Sequence, residues 1–570
     1  MRPMKSGRVL VVFGAKLPRK QVFDYDCIIA PATLEPEVRA KNVAFETLES
    51  LVDPGSIEEA TAFLHELATA TLPDGTRVSE SITYQGYELW WVNYDELYVR
   101  QCLPYTQYRR LLAHLKEYSN ITLEAPPAAA LFYIFLQAHG CRYSIQGNVR
   151  RFPPVGIWLQ VFISLVSWPV LMLMRPKIMM YTGDLFDPPR DHSFRMRLIY
   201  DELRARKLPF IEFIRSLEPV TTVLAHAGKR RRPVIYSYAI KVVIVWLFGR
   251  DTSREPLPRA SDPERAFKLA LASTSLGNVQ ATIWCVRVMT WFIRSIGVRA
   301  ALIPSASSRT FHEVLGCRLA KIPTIGILHG AASKYYNVYD FMPEYRGAKR
   351  LSLDVYGMWS QWWRDYYLAN GKAYTADQLV VSGPMRPLTV PPVPRVRARH
   401  GALRVLFIAE QLAEPGEILP YLEALMQAEG LELFFKFRSY SDGFEEWLKV
   451  QRPDLLERVD SAHILRGTMP DAIAHADVVV GSHSTAVLEA LLSLTPIVFF
   501  YTKKWGDYFS LEPMNARYGI FAKNPKQLIE YVVQSKNAPE ETLKELRDMF
   551  FGDPYKNGSA WVVDELQKHL

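Results

Sequence analysis

The residues best suited to chemistry gather at the ends of apolar strands. In ADVVVGSHSTAVLEALLSLTPIVFF, a short strand from Val478 to Val480 runs into Gly481, Ser482, His483, Ser484 and Thr485. A helix is expected from Thr485 to Leu494, stopped by Pro496, with a buried strand from Ile497 to Phe500 after it. A helix that opens on hydroxyls offers free amides, hydroxyl donors and a positive dipole end, which together suit a phosphate. Glu489 stands one turn further along the same helix, within reach of a ribose. An ordinary capped helix in any α/β protein has the same appearance.

Two further strands end on polar residues. Pro323 to Leu328 delivers His329 and Gly330 at its carboxyl end, where ligands of open α/β sheets bind. An imidazole there titrates near neutrality and suits a general base; a structural histidine bonded to a loop carbonyl is the competing reading. RVLFIAEQ places Glu410 at the end of its strand, a second candidate base. LELFFKFRSY ends in Lys436 and Arg438, and a guanidinium there can pair with a phosphate directly.

Gly-x-x-Ser-Thr-x-x-x-Glu-Ala-Leu, followed by a proline and an apolar strand, resembles the donor-nucleotide motif of GT-B glycosyltransferases. It is most similar to those that build bacterial surface polysaccharides, the capsule Kdo transferases and CDP-glycerol polymerases. The resemblance implies that the Ser484–Thr485 pair holds the donor phosphates, that Glu489 helps hold the ribose, and that the strand–His329–Gly330 unit faces the interdomain cleft; the helix that opens on hydroxyls adds Ser482 as an expected phosphate contact, and His483 is an expected donor-binding residue beside it. It covers roughly Val298 to Gln534. Where the family has a His-Pro pair, this chain has Arg438, Ser439 and Tyr440.

The elements that must position these residues read as alternating strands and helices. The chain has 570 residues, 49% of them hydrophobic and 22% charged, as expected of a folded protein with several cores. Five scattered cysteines without a Cys-x-x-Cys argue against a zinc site and a disulfide framework, and suit a reducing compartment. Lysine and arginine total 68 against 59 acidic residues, a formal charge of +9. That excess fits an anionic nucleotide donor or an anionic membrane face; no nucleic-acid-binding motif accompanies it. The first residues read as a strand, Val9 to Phe13, rather than as an export signal. The aromatic run YQGYELWWVNYDELY suits core packing better than a sugar platform. A long helical pattern covers Pro263 to Ile296, and the Pro-rich stretch Pro384 to Gly401 reads as a solvated linker.

Val155 to Met174 carries no charge and is long enough to cross a bilayer core. A second apolar run, Pro233 to Phe248, follows the basic cluster Lys229 to Arg232 and contains Lys241. A re-entrant or interfacial helix is expected, with Lys241 reaching the headgroups; two passes that return the chain to the same side, disfavoured by Lys241 at mid-bilayer, and a buried core helix for the first run are the alternatives.

The expected fold is α/β: a GT-B-like pair of Rossmann-type domains with an additional N-terminal α/β domain and an apolar membrane-contacting insertion. The parts are residues 1–150, the apolar segment 151–175, an acceptor-side domain at 176–390 and a nucleotide-donor domain at 400–570. The expected function is transfer of a sugar from a nucleotide-activated donor to a surface-polysaccharide or lipid-linked glycan acceptor at the cytoplasmic face of the inner membrane. Inversion without a metal and without a separate cofactor is expected. A CDP-glycerol-like polyol-phosphate transferase and a noncatalytic carbohydrate-binding assembly factor are the alternatives.

Overall fold

The computed structural model describes residues 5–17, 24–146, 152–184, 193–250, 262–307, 309–330, 333–335, 340, 349–388, 401–409, 414–437, 443–459 and 461–570. Three parallel sheets follow one another along the chain. The first has strands β1 (Lys5–Val12), β2 (Cys27–Ala30) and β3 (Ala44–Thr47), and after the hairpin of β4 (Thr83–Tyr84) and β5 (Tyr87–Glu88) it gains β6 (Tyr118–Glu124) and β7 (Arg142–Gln146). Its spatial order is β3-β2-β1-β6-β7. Val9, Leu10, Val11 and Val12 are all fully buried, because a parallel strand covered on both faces must be apolar on both.

The second sheet consists of β8 (Ile178–Gly183), β9 (Phe210–Arg215), β10 (Ala300–Leu302), β11 (Thr324–Ile327), β12 (Val355–Met358) and β13 (Leu379–Val381), in the order β13-β12-β11-β10-β8-β9. The third consists of β14 (Leu403–Ile408), β15 (Leu431–Lys436), β16 (Val478–Gly481), β17 (Ile497–Phe500) and β18 (Phe521–Ala522), in the order β15-β14-β16-β17-β18. In both, the chain first adds a strand on one side and then crosses to the other. The crossover leaves a switch point between β8 and β10 and another between β14 and β16, where a crevice opens at the carboxyl ends. These two sheets are the expected GT-B-like pair of Rossmann-type units, and the first sheet is the additional α/β unit.

Several elements differ from expectation. The helical pattern from Pro263 to Ile296 divides into Pro263–Ser273 and Val279–Ile296, separated by a short 3-10 turn at Leu276–Asn278. Thr274, Ser275 and Gly277 at the break are poor helix formers. The aromatic run is core: Trp90 and Trp91 are essentially inaccessible, and Trp90 Nε1 donates to Ala272 O at 3.2 Å, tying the first unit to the Pro263–Ser273 helix. The final helix, Gly558–Gln567, leaves the third sheet and packs on the second. Val562, Val563 and Leu566 share a buried cluster with Ile178, Met180 and Ile327. Gly357 permits this approach, since a Cβ there would lie 2.5 Å from Trp561 Cζ3.

The 20-residue helix Val155–Met174 is long and apolar enough to cross a membrane by length and composition, and lies against the second unit with part of its surface buried. The basic cluster before the second apolar run is not uniformly solvated. Arg230 is buried, and its Nη2 donates to Asp184 Oδ1 at 2.7 Å. Lys241 points inward rather than toward a headgroup layer, pairing with both oxygens of Glu313 at 2.9 Å.

Candidate functional site

The carboxyl ends of the second sheet face two helices of the third across a cavity of about 540 Å³. From the second sheet come Arg195 and Arg197 after β8, His329 after β11, Trp359 after β12, and Met385 and Arg386 after β13. From the third come Thr468 and Met469 at the start of the Met469–Ala474 helix, and Glu489, Leu492 and Thr495 beyond β16. Phe551 closes one wall.

His329 is held by its neighbours. Leu328 N donates to Gly357 O at 2.8 Å, and Trp359 Nε1 donates to Leu328 O at 2.5 Å, fixing the loop. The imidazole Nδ1 is buried without a hydrogen-bond partner among the described residues, so the histidine does not bond a loop carbonyl through that atom. Burial, with Arg195 and Arg386 nearby, lowers its pKa to about 4. At neutral pH the ring is therefore uncharged and able to accept a proton.

Glu489 faces the same space. Its Oε1 lies 3.6 Å from Arg386 Nη1, and its side chain is 28% exposed. Burial pushes its carboxyl pKa up, against the pull of Arg386. Arg386 was not legible as a site residue because it sits in PMRP, a stretch that reads as linker; the usable signal was its position directly after the short apolar strand β13. Arg195 and Arg197 had still less signal, since their segment carries no strand-end motif.

The hydroxyl loop is more divided than expected. Ser484 is the helix N-cap, and its Oγ accepts from Ala486 N at 3.2 Å. The helix itself is only Thr485–Glu489, continuing as a 3-10 segment at Ala490–Ser493. The expected run to Leu494 would have given a longer dipole; Leu494 instead adopts the left-handed conformation at φ 54° and ends the segment. Ser482 is buried, with its Oγ 2.8 Å from His483 Nδ1. The His483 ring stacks on Trp505 at 3.9 Å and 11°, and burial, with a contribution from Lys504, lowers its pKa to about 3. Ser482 and His483 thus form a packed pair behind the loop and do not line the cavity. Thr485 does approach the second sheet: a Cβ on Gly330 would lie 3.8 Å from its Oγ1. The cavity brings together His329 and Glu489, with Thr485 beside the His329 loop; Glu410 and Arg438 lie outside the described residues.

No family model and no curated protein matches the chain. Among solved structures it is similar to UDP-GlcNAc 2-epimerase from Neisseria meningitidis bound to UDP-GlcNAc, at 14% identity, covering 69% of this chain and 99% of that one, with a TM-score of 0.40. It is also similar to MurG from Acinetobacter baumannii, at 13% identity over 69% and 100% of the two chains, TM-score 0.39. A glycosyltransferase from Rickettsia africae aligns at 12% identity over 69% and 99%, TM-score 0.37.

The arrangement has a clear chemical capacity. Three guanidinium groups border one cavity with a neutral imidazole and a carboxyl group. Guanidinium forks match phosphate oxygens in pairs, whereas the imidazole offers a proton acceptor in the same space.

Proposed function

We propose that the chain is a nucleotide-sugar-dependent glycosyltransferase that works in this cavity. The observation that carries the reading is the convergence of Arg195, Arg197 and Arg386 with His329 and Glu489 between two Rossmann-type units. The arginines bind the donor diphosphate, and Glu489 accepts from the ribose hydroxyls. Thr485 and the capped turn at Ser484 contribute further donors at the cavity edge.

In the proposed reaction an acceptor hydroxyl oxygen attacks the anomeric carbon as the bond from that carbon to the diphosphate oxygen breaks. The hydroxyl proton passes to the His329 imidazole, and the nucleoside diphosphate leaves with its charge met by the guanidinium groups. Attack opposite the leaving group inverts the anomeric centre. A pKa near 4 makes His329 a weak base in the empty cavity. A bound diphosphate offsets the fields of Arg195 and Arg386, raising the imidazole pKa when the donor is in place. The nucleotide sugar is consumed as substrate, and the acceptor is a surface-polysaccharide or lipid-linked glycan.

The test is turnover of UDP-, GDP-, CMP- and CDP-linked donors by the purified chain, with and without EDTA. One donor class should be transferred or slowly hydrolysed, with EDTA leaving the rate unchanged. His329→Ala should lower the rate by about 10²–10⁴. Absence of turnover with every donor, or full turnover in His329→Ala, contradicts the assignment.

A further inference from the structure

The helix Val155–Met174 is built inside out for a protein surrounded by water. Its polar residues Gln160, Ser164 and Ser167 face the protein and are buried. Ser164 Oγ donates to Gln160 O at 2.8 Å and accepts from Tyr236 N at 2.8 Å, so the inward polar groups serve packing. The outward face is apolar: Phe162 is 63% exposed, Val166 56% and Leu173 86%.

The neighbouring helix Ser237–Phe248 repeats the inversion. Its one charge, Lys241, is neutralised inside by Glu313, while Leu247 and Phe248 are exposed. The third helix, Val279–Ile296, adds exposed Trp291, which packs on Trp168 at 4.4 Å between ring centres. Trp168 Nε1 in turn donates to Ser295 Oγ at 2.8 Å, locking the first helix to the third. The three helices are thus tied together, and each turns large apolar side chains outward.

Charge identifies the occupant. None of the three helices contains an aspartate or glutamate. Arg175 and Lys177 follow the first, Arg250 follows the second, and Arg287 lies on the third with its guanidinium 5.4 Å from the Trp284 ring; all four are exposed. Exposed apolar side chains on helices without carboxylates, with these cations beside them, complement an anionic phospholipid leaflet. A second copy of the chain would instead set cations against cations across a two-fold axis.

We infer that this three-helix face is a monotopic docking surface that sinks into one leaflet of an anionic bilayer without crossing it. The inward face of Val155–Met174 stays on the protein, so the helix lies in the interface plane rather than spanning. The inward turn of Lys241 removes the one charge on the first two helices that would have opposed insertion. Exposed apolar residues reach below the headgroups, and the four cations meet the phosphates at the rim.

The experiment is flotation of the full chain with vesicles of phosphatidylcholine alone and of phosphatidylcholine mixed with phosphatidylglycerol, alongside its mass in solution. The wild type should float with the mixed vesicles and far less with the neutral ones. Phe162→Gln with Val166→Gln and Leu173→Gln changes only outward side chains and should cut partitioning about tenfold or more while leaving the thermal midpoint unchanged. Arg175→Glu with Lys177→Glu and Arg250→Glu should cut binding to the mixed vesicles by a similar factor. Failure to float with either vesicle overturns the inference, as does binding that survives the apolar triple variant. Binding indifferent to the anionic lipid overturns the charge-matched leaflet. Self-association abolished by the apolar variant, without vesicle binding, assigns the face to a second copy. A protease-accessible site on both sides of sealed vesicles would overturn the monotopic geometry in favour of a span.

Discussion

His329 shows how a residue's chemistry depends on what the fold brings near it. Its position after an apolar strand is readable from strand–His–Gly, and so is its suitability as a base. Its pKa is not readable, because burial and two arginines from distant segments set it near 4. Arg386→Ala should therefore raise the His329 pKa part of the way toward its ordinary value near 6.5, with burial keeping the remainder of the shift. Protons then compete with base function at higher pH, so the acid limb of kcat/KM should move upward. Proton NMR titration of the ring, assigned with His329→Asn, measures the first effect, and a pH–rate profile the second. An unchanged His329 titration would show that Arg386 does not act on the ring. Ser482 and His483 are readable as polar residues of a strand-end loop, but the burial of the serine and the stacking of the imidazole on Trp505 depend on the fold.

At the scale of elements, apolar runs fixed where strands and helices lie better than which way they face. Val155–Met174 was legible to its ends because no charge interrupts it and Pro154 precedes it. Lys241 was legible as a charge inside an apolar helix, yet its direction depends on Glu313, which is remote in sequence and lies on the Phe311–Ala320 helix. That pair sets a prediction about stability. Lys241→Met leaves a buried carboxylate without its cation and should destabilise the unit by about 3–5 kcal/mol. Combining it with Glu313→Gln should recover much of the loss, because neither charge then remains to be solvated. Thermal midpoints of the single and double variants check this; equal midpoints for the wild type and Lys241→Met would mean the pair contributes nothing. The short turn at Thr485 teaches the complementary lesson. Its capping serine is visible in the sequence, but its early change to a 3-10 segment at Ala490–Ser493, ended by the left-handed Leu494, is not.

For the molecule as a whole, the alternation of buried strands and helices revealed three α/β units, since each parallel strand must be apolar on both faces. What the pattern could not reveal is how the units are bound together. The last helix crosses back to the second sheet through contacts such as Trp561 against Gly357, which link residues about two hundred positions apart. The cavity arises the same way, from arginines on one unit and a carboxyl-bearing helix on another; local motifs point to His329 and Glu489, but none announces the arginines that join them. The central claim is that a nucleotide diphosphate occupies that cavity. Calorimetric titration of UDP, GDP, CDP and CMP into the wild type and into an Arg195→Ala, Arg386→Ala double variant tests it most directly. One nucleotide should bind at a single site, and the double variant should lose affinity by at least tenfold, since each charge-assisted hydrogen bond contributes about 1.5–3 kcal/mol. Binding of none of the four, or binding equally tight in the double variant, would contradict the account.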